Sequence, residues 1–450
     1  MKFLSEQGDN TSAAVIGMGY VGSTVAAVLA GEGVDVVGID VDPTLVAQLE
    51  RRHCRFSEPG LPELLFAGLD SGRLRVTTDY RAVADVDVVI IAVGTPVRDT
   101  TLVDTYLRGA CRELADHLRP GQLVIVKSTV PPGTSRSLVA PLLAGGGLVP
   151  GEDFGLAFCP ERLAEGQALR ELREFPIIVG GWCADSTAAA GAFWQRTIGA
   201  EIIPCGSLES AEVMKLASNW WIDHNIALAN ELAKLCGALD VDVLEVVNAA
   251  NTMRKGSGNV NILLPSVGVG GSCLTKDPWM VWRSARDHGI DLATVPAARQ
   301  VNDSMPAYTV DLITEELGRA GRDLADAKVA VLGVAFKNNT GDLRATPVLP
   351  VVTKLRQGGA EVALFDPLAD AAEVEKLFGL APTATAQEAL AGADCVAVLA
   401  RHDVFDEIDL VALRPSLASS CVIVDGRAYY SRETIDRFRR HGFAYRGIGR

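Results

Sequence analysis

Short apolar runs alternate with longer amphipathic segments in the first part of the chain. Runs of strand length occur at residues 12–17, 34–39, 87–94 and 122–127, and the segments between them suit helices and loops. Continuous apolar runs of this kind are typical of parallel strands that are buried on both faces. The pattern therefore predicts a doubly wound α/β sheet.

The periodicity becomes helical in the middle of the chain. Residues 207–239 predict one long spine helix that ends near Gly237, and residues 244–300 predict further helices around a glycine- and asparagine-rich loop at 255–261. Apolar runs of strand length return after Gly318, which indicates a second βα series. These runs are residues 328–333, 361–366, 394–399 and 421–425.

A chain of 450 residues is too long for one ordinary core. We predict an α/β protein with two Rossmann-like doubly wound parallel-sheet domains, joined by a central helical domain that contains the spine helix. The predicted bounds are 1–205 for an N-terminal dinucleotide-binding domain, 206–305 for the central domain and 306–450 for a second Rossmann-like domain.

Composition narrows the classes of partner. The net charge of -14 argues against a general nucleic-acid or anionic-membrane surface. Residues 11–31 carry no charge over the length of a membrane span, but their glycines are spaced for a phosphate-binding turn. Nine cysteines without a C-x-x-C pair predict reduced thiols in a cytoplasmic protein, and six scattered histidines predict no metal site.

A dinucleotide fingerprint follows the first predicted strand. Its G-x-G-x-x-G turn presents backbone N–H groups and a helix N-terminus to a pyrophosphate. Asp40 lies 18 residues beyond the turn and ends the next strand, where an acid binds ribose hydroxyls and disfavours a 2′-phosphate. We therefore predict NAD as the cofactor. The fingerprint residues are Gly17, Gly19, Tyr20, Val21 and Gly22.

Cys273 lies in the glycine-rich segment 268–277 and is the candidate nucleophile. Lys276 can favour its thiolate, and Asp277 can orient a water molecule. The alternative is a small buried apolar residue, which is the commoner fate of an intracellular cysteine. The glycines and charges around Cys273, which the other eight cysteines lack, favour the nucleophile.

Two further candidates have equally plausible structural interpretations. Lys215, Asn219 and Asp223 recur at i, i+4 and i+8 on the spine helix, so they share a face that either binds an oxyanion or is solvated. Glu161 closely follows a predicted strand, where it is either a catalytic carboxylate or a surface acid. Spacing alone leaves both pairs of alternatives open.

Eight motifs together resemble the nucleotide-sugar 6-dehydrogenases, the family of UDP-glucose and UDP-N-acetylmannosamine dehydrogenases. They are GMGYVG, VGTP, STVPPGT, PERLAEG, KLASN, GVGGSCLTKDP, AFKNNTGDLRATP and VDGR, and they follow the family's order along nearly the whole chain. The resemblance implies an NAD-dependent four-electron oxidation of the C6 hydroxyl of a nucleotide-diphospho-hexose to a uronic acid. The reaction would pass through a thiohemiacetal and a thioester on cysteine.

The resemblance also implies roles for individual residues. Cys273 would be the nucleophile, Lys215 and Asn219 the oxyanion partners, and Glu161 and Asp277 the carboxylates that manage water or a proton. Residues implied near NAD are Thr95, Thr129, Glu165 and Arg344. Residues implied near the nucleotide sugar are Glu161, Arg162, Leu163, Lys215, Asn219, Gly268, Gly270, Phe336, Lys337 and Arg427.

The chain departs from the family pattern before the cysteine segment. Family members usually carry an arginine there that reaches a neighbouring subunit's sugar, whereas residues 256–261 are GSGNVN, so Arg254 or Lys255 would have to replace it. Thr275 also stands where proline is frequent. The spine helix with Trp220 and Trp221 is consistent with the family's homodimer, although packing within one chain explains it equally well.

The choice of sugar depends on small motifs. GGSC and VDGR favour UDP- or dTDP-glucose, which is our expectation, whereas Arg162 and the VNIL segment at 260–263 favour a UDP-N-acetylhexosamine. A rival enzyme is a two-electron dehydrogenase of the 3-hydroxy-acid type in which Cys273 is structural. A non-enzymatic rival is a catalytically silent sensor of NAD or of a nucleotide sugar.

Overall fold

The computed structural model describes residues 2–4, 11–56 and 58–450. The chain divides into two compact units, of which the first comprises Met1–Ser218 with Trp279–Asp291, and the second comprises Asn219–Pro278 with Leu292–Arg450. The three-domain bounds remain a prediction. Within the described residues, no helix is both long enough and apolar enough to cross a bilayer.

The first unit is built on one eight-stranded sheet and a small separate hairpin. The strands are β1 (Ser12–Ile16), β2 (Asp35–Ile39), β3 (Leu74–Thr77), β4 (Val88–Ile91), β5 (Val97–Arg98), β6 (Thr101–Leu102), β7 (Leu123–Val126), β8 (Gly155–Phe158), β9 (Ile177–Gly181) and β10 (Ile202–Cys205). The sheet order is β10-β9-β8-β7-β4-β1-β2-β3, and β5 pairs only with β6. Neighbouring strands are parallel except β8 and β9.

Helices cover both faces of this sheet, which is why its strands are continuously apolar. Ala13 and Val15 of β1 enter one core, whereas Ala14 and Ile16 enter the other. The helices of this part of the chain are α1 (Tyr20–Gly31), α2 (Pro43–Glu50), α3 (Leu61–Asp70), α4 (Thr105–Ala115), α5 (Ala140–Leu143), α6 (Ala168–Glu174) and α7 (Ala184–Ile198).

Helices connect this sheet to the second one. They are α8 (Leu208–Ala238), α9 (Val243–Ala250), α10 (Asp277–Asp287) and α11 (Thr294–Arg319), with a hairpin of β11 (Arg254–Lys255) and β12 (Gly258–Asn259) after α9. Helix α8 has 31 residues and corresponds to the predicted spine helix. Its first residues belong to the first unit and the others to the second.

The second unit contains a five-stranded parallel sheet. Its strands are β13 (Lys328–Leu332), β14 (Glu361–Phe365), β15 (Cys395–Val398), β16 (Val422–Asp425) and β17 (Ala444–Gly447), in the order β14-β13-β15-β16-β17. The helices among them are α12 (Val348–Gln357), α13 (Ala371–Phe378), α14 (Ala386–Leu390) and α15 (Arg432–Arg440). The predicted fold class, two Rossmann-like sheets with a central helical region, is confirmed.

Candidate active site

The G-x-G-x-x-G turn follows β1 and packs closely against its neighbours. Gly17 has a φ of 91°, and a Cβ on it would lie 2.9 Å from the Ala92 carbonyl oxygen. A Cβ on Gly22 would lie 1.8 Å from the Gly17 oxygen, whereas one on Gly19 would meet no atom within 4 Å. Gly17 and Gly22 therefore allow the tight turn, and Gly19 leaves its outer face open at the start of α1.

Asp40 is held beside this turn at the end of β2. One of its carboxylate oxygens accepts a hydrogen bond from the Met18 N–H at 2.7 Å, and the other accepts from the Asp42 N–H at 2.9 Å. An open glycine turn at a helix N-terminus with a fixed carboxylate next to it fits the pyrophosphate and ribose of a dinucleotide. These residues of the first unit fit NAD.

The loops after β4 and β7 meet at the same edge of this sheet. The Ser128 hydroxyl donates to the Val93 carbonyl oxygen at 2.7 Å, which joins the Gly94–Pro96 turn to the loop that begins at Ser128. Thr95 is buried and Thr129 is partly exposed. Both predicted cofactor residues thus lie on the edge to which β1 and β2 bring Gly19 and Asp40.

Glu58 was not identified from the sequence, yet it fixes the PERLAEG loop that follows β8. Its buried carboxylate accepts hydrogen bonds from the Gly166 N–H at 2.6 Å, from the Ala168 N–H at 2.8 Å and from the Tyr20 hydroxyl. The loop carries Glu161, Arg162, Leu163 and Glu165. Glu58 therefore couples these four predicted residues to the start of α1.

Lys127, which the sequence reasoning also missed, pairs with Glu161. Its ammonium nitrogen lies 3.1 Å from a Glu161 carboxylate oxygen and 5.1 Å from the centre of the Trp194 ring, and its side chain is only 2% exposed. The other Glu161 oxygen accepts from the N–H groups of Arg162 and Leu163. Glu161 is thus a largely buried, oriented carboxylate rather than a surface acid. A charged residue at the end of an apolar strand was the available signal.

Glu212 connects the start of α8 to the loop after β7. Its fully buried carboxylate accepts from the Gly133 N–H at 2.5 Å and from the Ser135 N–H at 2.9 Å. Burial raises the pKa of Glu212 to about 7, because the loss of hydration outweighs these hydrogen bonds. The carboxyl group therefore titrates in the folded protein near neutral pH.

We expect this titration to lower stability as the pH rises. Because the folded-state pKa of Glu212 is raised, its contribution is fully present below about pH 4.5 and is lost by about pH 7, a change of about 3 kcal/mol. Glu212→Gln should gain stability relative to the unmodified protein over this interval, measured by urea unfolding at successive pH values. The control is Glu209→Gln. The Glu209 carboxylate pairs with Arg136, so its replacement should not reproduce the gain. A constant difference between Glu212→Gln and the unmodified protein would contradict the prediction.

Cys273 belongs to the second unit and is exposed. Five of the other cysteines are buried and three are partly buried, so Cys273 is the most accessible of the nine thiols. Its carbonyl oxygen accepts from the N–H groups of Lys276 and Asp277 at 3.0 and 2.8 Å. The thiol therefore lies on the turn that precedes α10, in an accessible position that suits a nucleophile rather than a core residue.

The glycines before Cys273 serve close packing. A Cβ on Gly270 would lie 2.6 Å from the Ala345 carbonyl oxygen, and one on Gly271, which has a φ of 83°, would lie 2.8 Å from the Phe336 ring. The Gly271 N–H also donates to the Arg344 carbonyl oxygen at 2.9 Å. These glycines therefore seat the cysteine turn against the AFKNNTGDLRATP loop.

Asn219 and Asp277 are brought together beneath the same turn. The Asn219 amide donates to one Asp277 oxygen at 2.5 Å, and the Lys276 ammonium lies 2.6 Å from the other. Asp277 is fully buried and Asn219 nearly so. Lys215 is also buried, one helical turn before Asn219 on α8. The Lys276 ammonium forms an ion pair that orients Asp277, and its effect on the Cys273 thiol stays a prediction.

Asp223, the third member of the predicted helix face, has a structural role. Its carboxylate lies 2.7 Å from the Arg299 guanidinium and accepts from the Asn302 amide at 2.9 Å. Arg299 also approaches the Leu274 carbonyl oxygen at 3.5 Å. This buried group supports the chain beside Cys273, and the sequence analysis did not identify Arg299.

Three of the residues predicted near the nucleotide sugar, Phe336, Lys337 and Arg427, lie at the carboxyl edge of the second sheet, whereas Glu161, Arg162 and Leu163 follow β8 in the first unit. Arg427 follows β16, and its guanidinium donates to the carbonyl oxygens of Leu399 and Phe336 at 2.7 and 3.0 Å. Burial lowers the pKa of Arg427 to about 10, so the side chain stays charged at neutral pH. Lys337 is partly exposed on the same loop.

His402 and Asp366 anchor the loop that follows β13 and carries Phe336 and Lys337. Asp366 accepts from the Val334 N–H at 2.7 Å and contacts His402 Nε2 at 3.0 Å, and His402 Nδ1 accepts from the Asn339 N–H at 3.0 Å. Arg344, predicted near NAD, belongs to the second unit and forms a bidentate contact with Asp342. The loop is thus fixed at both ends of its Phe336–Lys337 segment.

Comparisons with known proteins agree over the whole chain. Family models described as the NAD binding, central and UDP binding domains of the UDP-glucose/GDP-mannose dehydrogenase family match residues 11–197, 209–304 and 330–432. A UDP-N-acetyl-D-mannosamine dehydrogenase of Methanococcus maripaludis is 34% identical over 416 residues, which cover 91% of each chain.

Two solved structures are also similar to this chain. A UDP-D-ManNAc dehydrogenase from Pyrococcus horikoshii is 32% identical with a TM-score of 0.88, over 98% of this chain and 99% of that one. A UDP-glucose dehydrogenase from Pyrobaculum islandicum is also 32% identical, with a TM-score of 0.86 and 99% coverage of both chains.

Proposed function

Because the chain belongs to the UDP-glucose/GDP-mannose dehydrogenase family and is an NAD-dependent nucleotide-sugar dehydrogenase, we propose that it oxidises C6 of a UDP-N-acetylhexosamine to the uronic acid. The observation that carries this proposal is the exposed thiol of Cys273 on a turn seated against the Phe336 loop, next to the Asn219–Asp277 pair.

The amino sugar replaces glucose as the proposed substrate. Relatives named as UDP-N-acetyl-D-mannosamine dehydrogenases support it, together with Arg162 and the VNIL segment that already favoured this alternative. Arg162 donates to the Pro176 carbonyl oxygen and lies 5.9 Å from the Phe175 ring centre. We propose that this arrangement shapes the loop around the acetamido group.

The cofactor is held by the first unit. The residues that fit it are the open turn at Gly19, the carboxylate of Asp40, and the loops of Thr95 and Thr129. When bound, NAD accepts hydride from the sugar carbon. We further propose that Glu165 and Arg344 contribute to this binding.

The remaining chemistry is assigned to the chain's own side chains. We propose that Cys273 attacks the C6 aldehyde and holds it as a thiohemiacetal. Loss of a second hydride, for which a second NAD would be the acceptor, gives the thioester. Lys215 and Asn219 stabilise negative charge on the sugar oxygen. Lys127 fixes Glu161, and Asn219 together with Lys276 fixes Asp277. One of these two carboxylates, Glu161 or Asp277, orients the water that releases the acid.

The test is NADH release with a panel of substrates. UDP-N-acetylmannosamine, UDP-N-acetylgalactosamine, UDP-glucose and dTDP-glucose are compared by kcat/KM with the same enzyme. We expect an N-acetylated sugar to be preferred by more than about tenfold, because a site built to bond the acetamido group leaves polar groups unpaired with glucose. A preference for either glucose nucleotide would overturn the choice of sugar but not the reaction.

We also propose that the chain forms a homodimer through α8. Trp221, Leu228 and Leu235 are spaced seven residues apart on this helix, and each is about half exposed, at 50%, 48% and 56%. A stripe with this spacing on one helix face is typical of helix-to-helix packing between chains. The exposed β11–β12 hairpin, which carries Arg254 and Lys255, is the proposed source of the contact to a neighbour's sugar.

Leu228→Glu is expected to convert the dimer to a monomer. The substitution places a charge in the centre of the apolar stripe, where association would desolvate it. Light scattering after size exclusion measures the mass. Leu377→Glu on α13 introduces the same charge at another exposed leucine and should leave the mass unchanged. An unmodified protein that is monomeric, or an unaltered Leu228→Glu dimer, would contradict the assignment.

A further inference from the structure

Arginines dominate the lining of a cavity of about 260 Å³ in the second unit. The lining residues come from the end of α8 and the turn after it, from α15, and from β17 with the C-terminal residues. Four arginines and two aspartates supply its charge, in a chain whose net charge is -14. These residues are Arg432, Arg439, Arg446, Arg450, Asp240 and Asp242. A local positive charge on an acidic protein concentrates anions.

Three of the arginines have carboxylate partners. The pairs are Arg432 with Glu245, Arg439 with Asp436 and Arg450 with Asp242. The Arg450 pair is the least exposed of the three, since its Nε lies 3.0 Å from Asp242 and its side chain is 5% exposed. The Arg439 pair is long, at 3.7 Å, and both of its side chains are more than half exposed. Arg450 is therefore structural, whereas Arg439 can turn toward a ligand.

Arg446 differs from the other three. Its Nε is buried and has no hydrogen-bond partner among the described residues, and no carboxylate of that part of the chain pairs with it. Its backbone is fixed in β17 opposite Val424. A Cβ on Gly237 would lie 3.6 Å from one of its terminal nitrogens, so this glycine leaves space beside the guanidinium. A buried donor without an acceptor is costly, and more so for a charged group.

We propose that this cavity binds a phosphoryl oxyanion, with Arg446 as the principal ligand and Arg439 as the second. The planar donor fork of arginine matches phosphate oxygens in bidentate geometry. Arg446 lines the cavity and pairs with no carboxylate of the described residues, so its terminal nitrogens are available to donate to such a ligand. Asp240 limits the affinity because its carboxylate lines the same cavity.

Calorimetric titration of the full chain tests the proposal. The probes are inorganic phosphate, pyrophosphate and glucose 6-phosphate, in sodium chloride that matches ionic strength, with excess NAD and UDP to occupy the nucleotide sites. We expect pyrophosphate to bind once per chain and Arg446→Gln to weaken it about tenfold, the value of one charge-assisted bond. The sugar phosphate distinguishes an organic phosphate ester from an inorganic anion as the preferred source.

Three further variants distinguish binding in this cavity from a general effect of surface charge. Arg439→Gln changes an exposed residue and should weaken binding without affecting the fold, whereas Asp240→Asn should strengthen it and keep its positive φ of 56°. Arg440→Gln removes the same charge from an exposed position on α15 outside the cavity and should have no effect. The proposal is overturned if no probe binds, if Arg446→Gln and Arg439→Gln both bind normally, or if Arg440→Gln loses as much affinity as Arg446→Gln.

Discussion

Replacement of Cys273 by serine is expected to lower the rate of uronic acid formation by more than about a thousandfold. Serine is a far weaker nucleophile than a thiolate, and an ester that forms on it is hydrolysed more slowly than a thioester. The unmodified enzyme should release two NADH for each sugar. The Cys273→Ser protein should show either negligible turnover or a sugar ester, which mass spectrometry of the intact chain detects.

Cys183→Ser is the matched control. Cys183 is a partly buried thiol of the first unit outside every proposed role, so its replacement should leave turnover near that of the unmodified protein. Full activity of Cys273→Ser, or one NADH per sugar from the unmodified enzyme, would instead favour a two-electron dehydrogenase. The covalent mechanism would then be wrong, although membership of the family would stand.

Lys127→Met is expected to destabilise the first unit by about 3–5 kcal/mol. The substitution removes the partner of the Glu161 carboxylate, whose side chain is only 12% exposed, and leaves that charge inside the protein without compensation. Urea or thermal unfolding measures the loss. The rate of acid release should also fall, because the hydrogen bonds from Arg162 and Leu163 would remain as the main constraint on Glu161.

A double variant separates the charge from the packing. Lys127→Met with Glu161→Gln has no buried charge at this position, so it should recover most of the lost stability but not the activity. An exposed pair provides the comparison, since Arg81→Met beside Asp79 should leave stability nearly unchanged. If Lys127→Met were as mild as Arg81→Met, the ion pair would contribute little to the position of Glu161.

The strand pattern predicted the fold well where strands are buried on both faces. All eight predicted runs correspond to strands of the two sheets. Seven of these strands are central, where parallel strands require continuous apolar sequence, whereas β14 lies at a sheet edge. Strand β17 was missed because Ala444–Gly447 lies at a sheet edge and includes Tyr445 and Arg446. Strands β9 and β10 run antiparallel to the rest of the first sheet, and no local signal indicates that reversal.

The sequence predicted which residues belong to the candidate site, but not the residues that hold them through hydrogen bonds and ion pairs. Glycine turns and strand-end acids have sequence signatures, so Gly17, Asp40 and Cys273 were identified. Glu58 was not, because its carboxylate binds backbone N–H groups more than 100 residues away, which have no side-chain signature. Arg299 was also missed, because an arginine in the middle of a helix is ordinarily exposed to solvent, whereas Arg299 is buried.

The contact between the cysteine turn and Phe336 has a consequence for which substrates can react. Neither side of this contact can shift. Gly270 and Gly271 have no side chains that could move aside, and Phe336 belongs to a loop that Arg427 and His402 anchor. The span between the thiol and Lys337 is therefore set when this unit folds. The family resemblance implies that this loop binds the nucleotide, so we expect the fixed span to select donors by the length from base to C6 and to exclude those with a longer or shorter phosphate bridge.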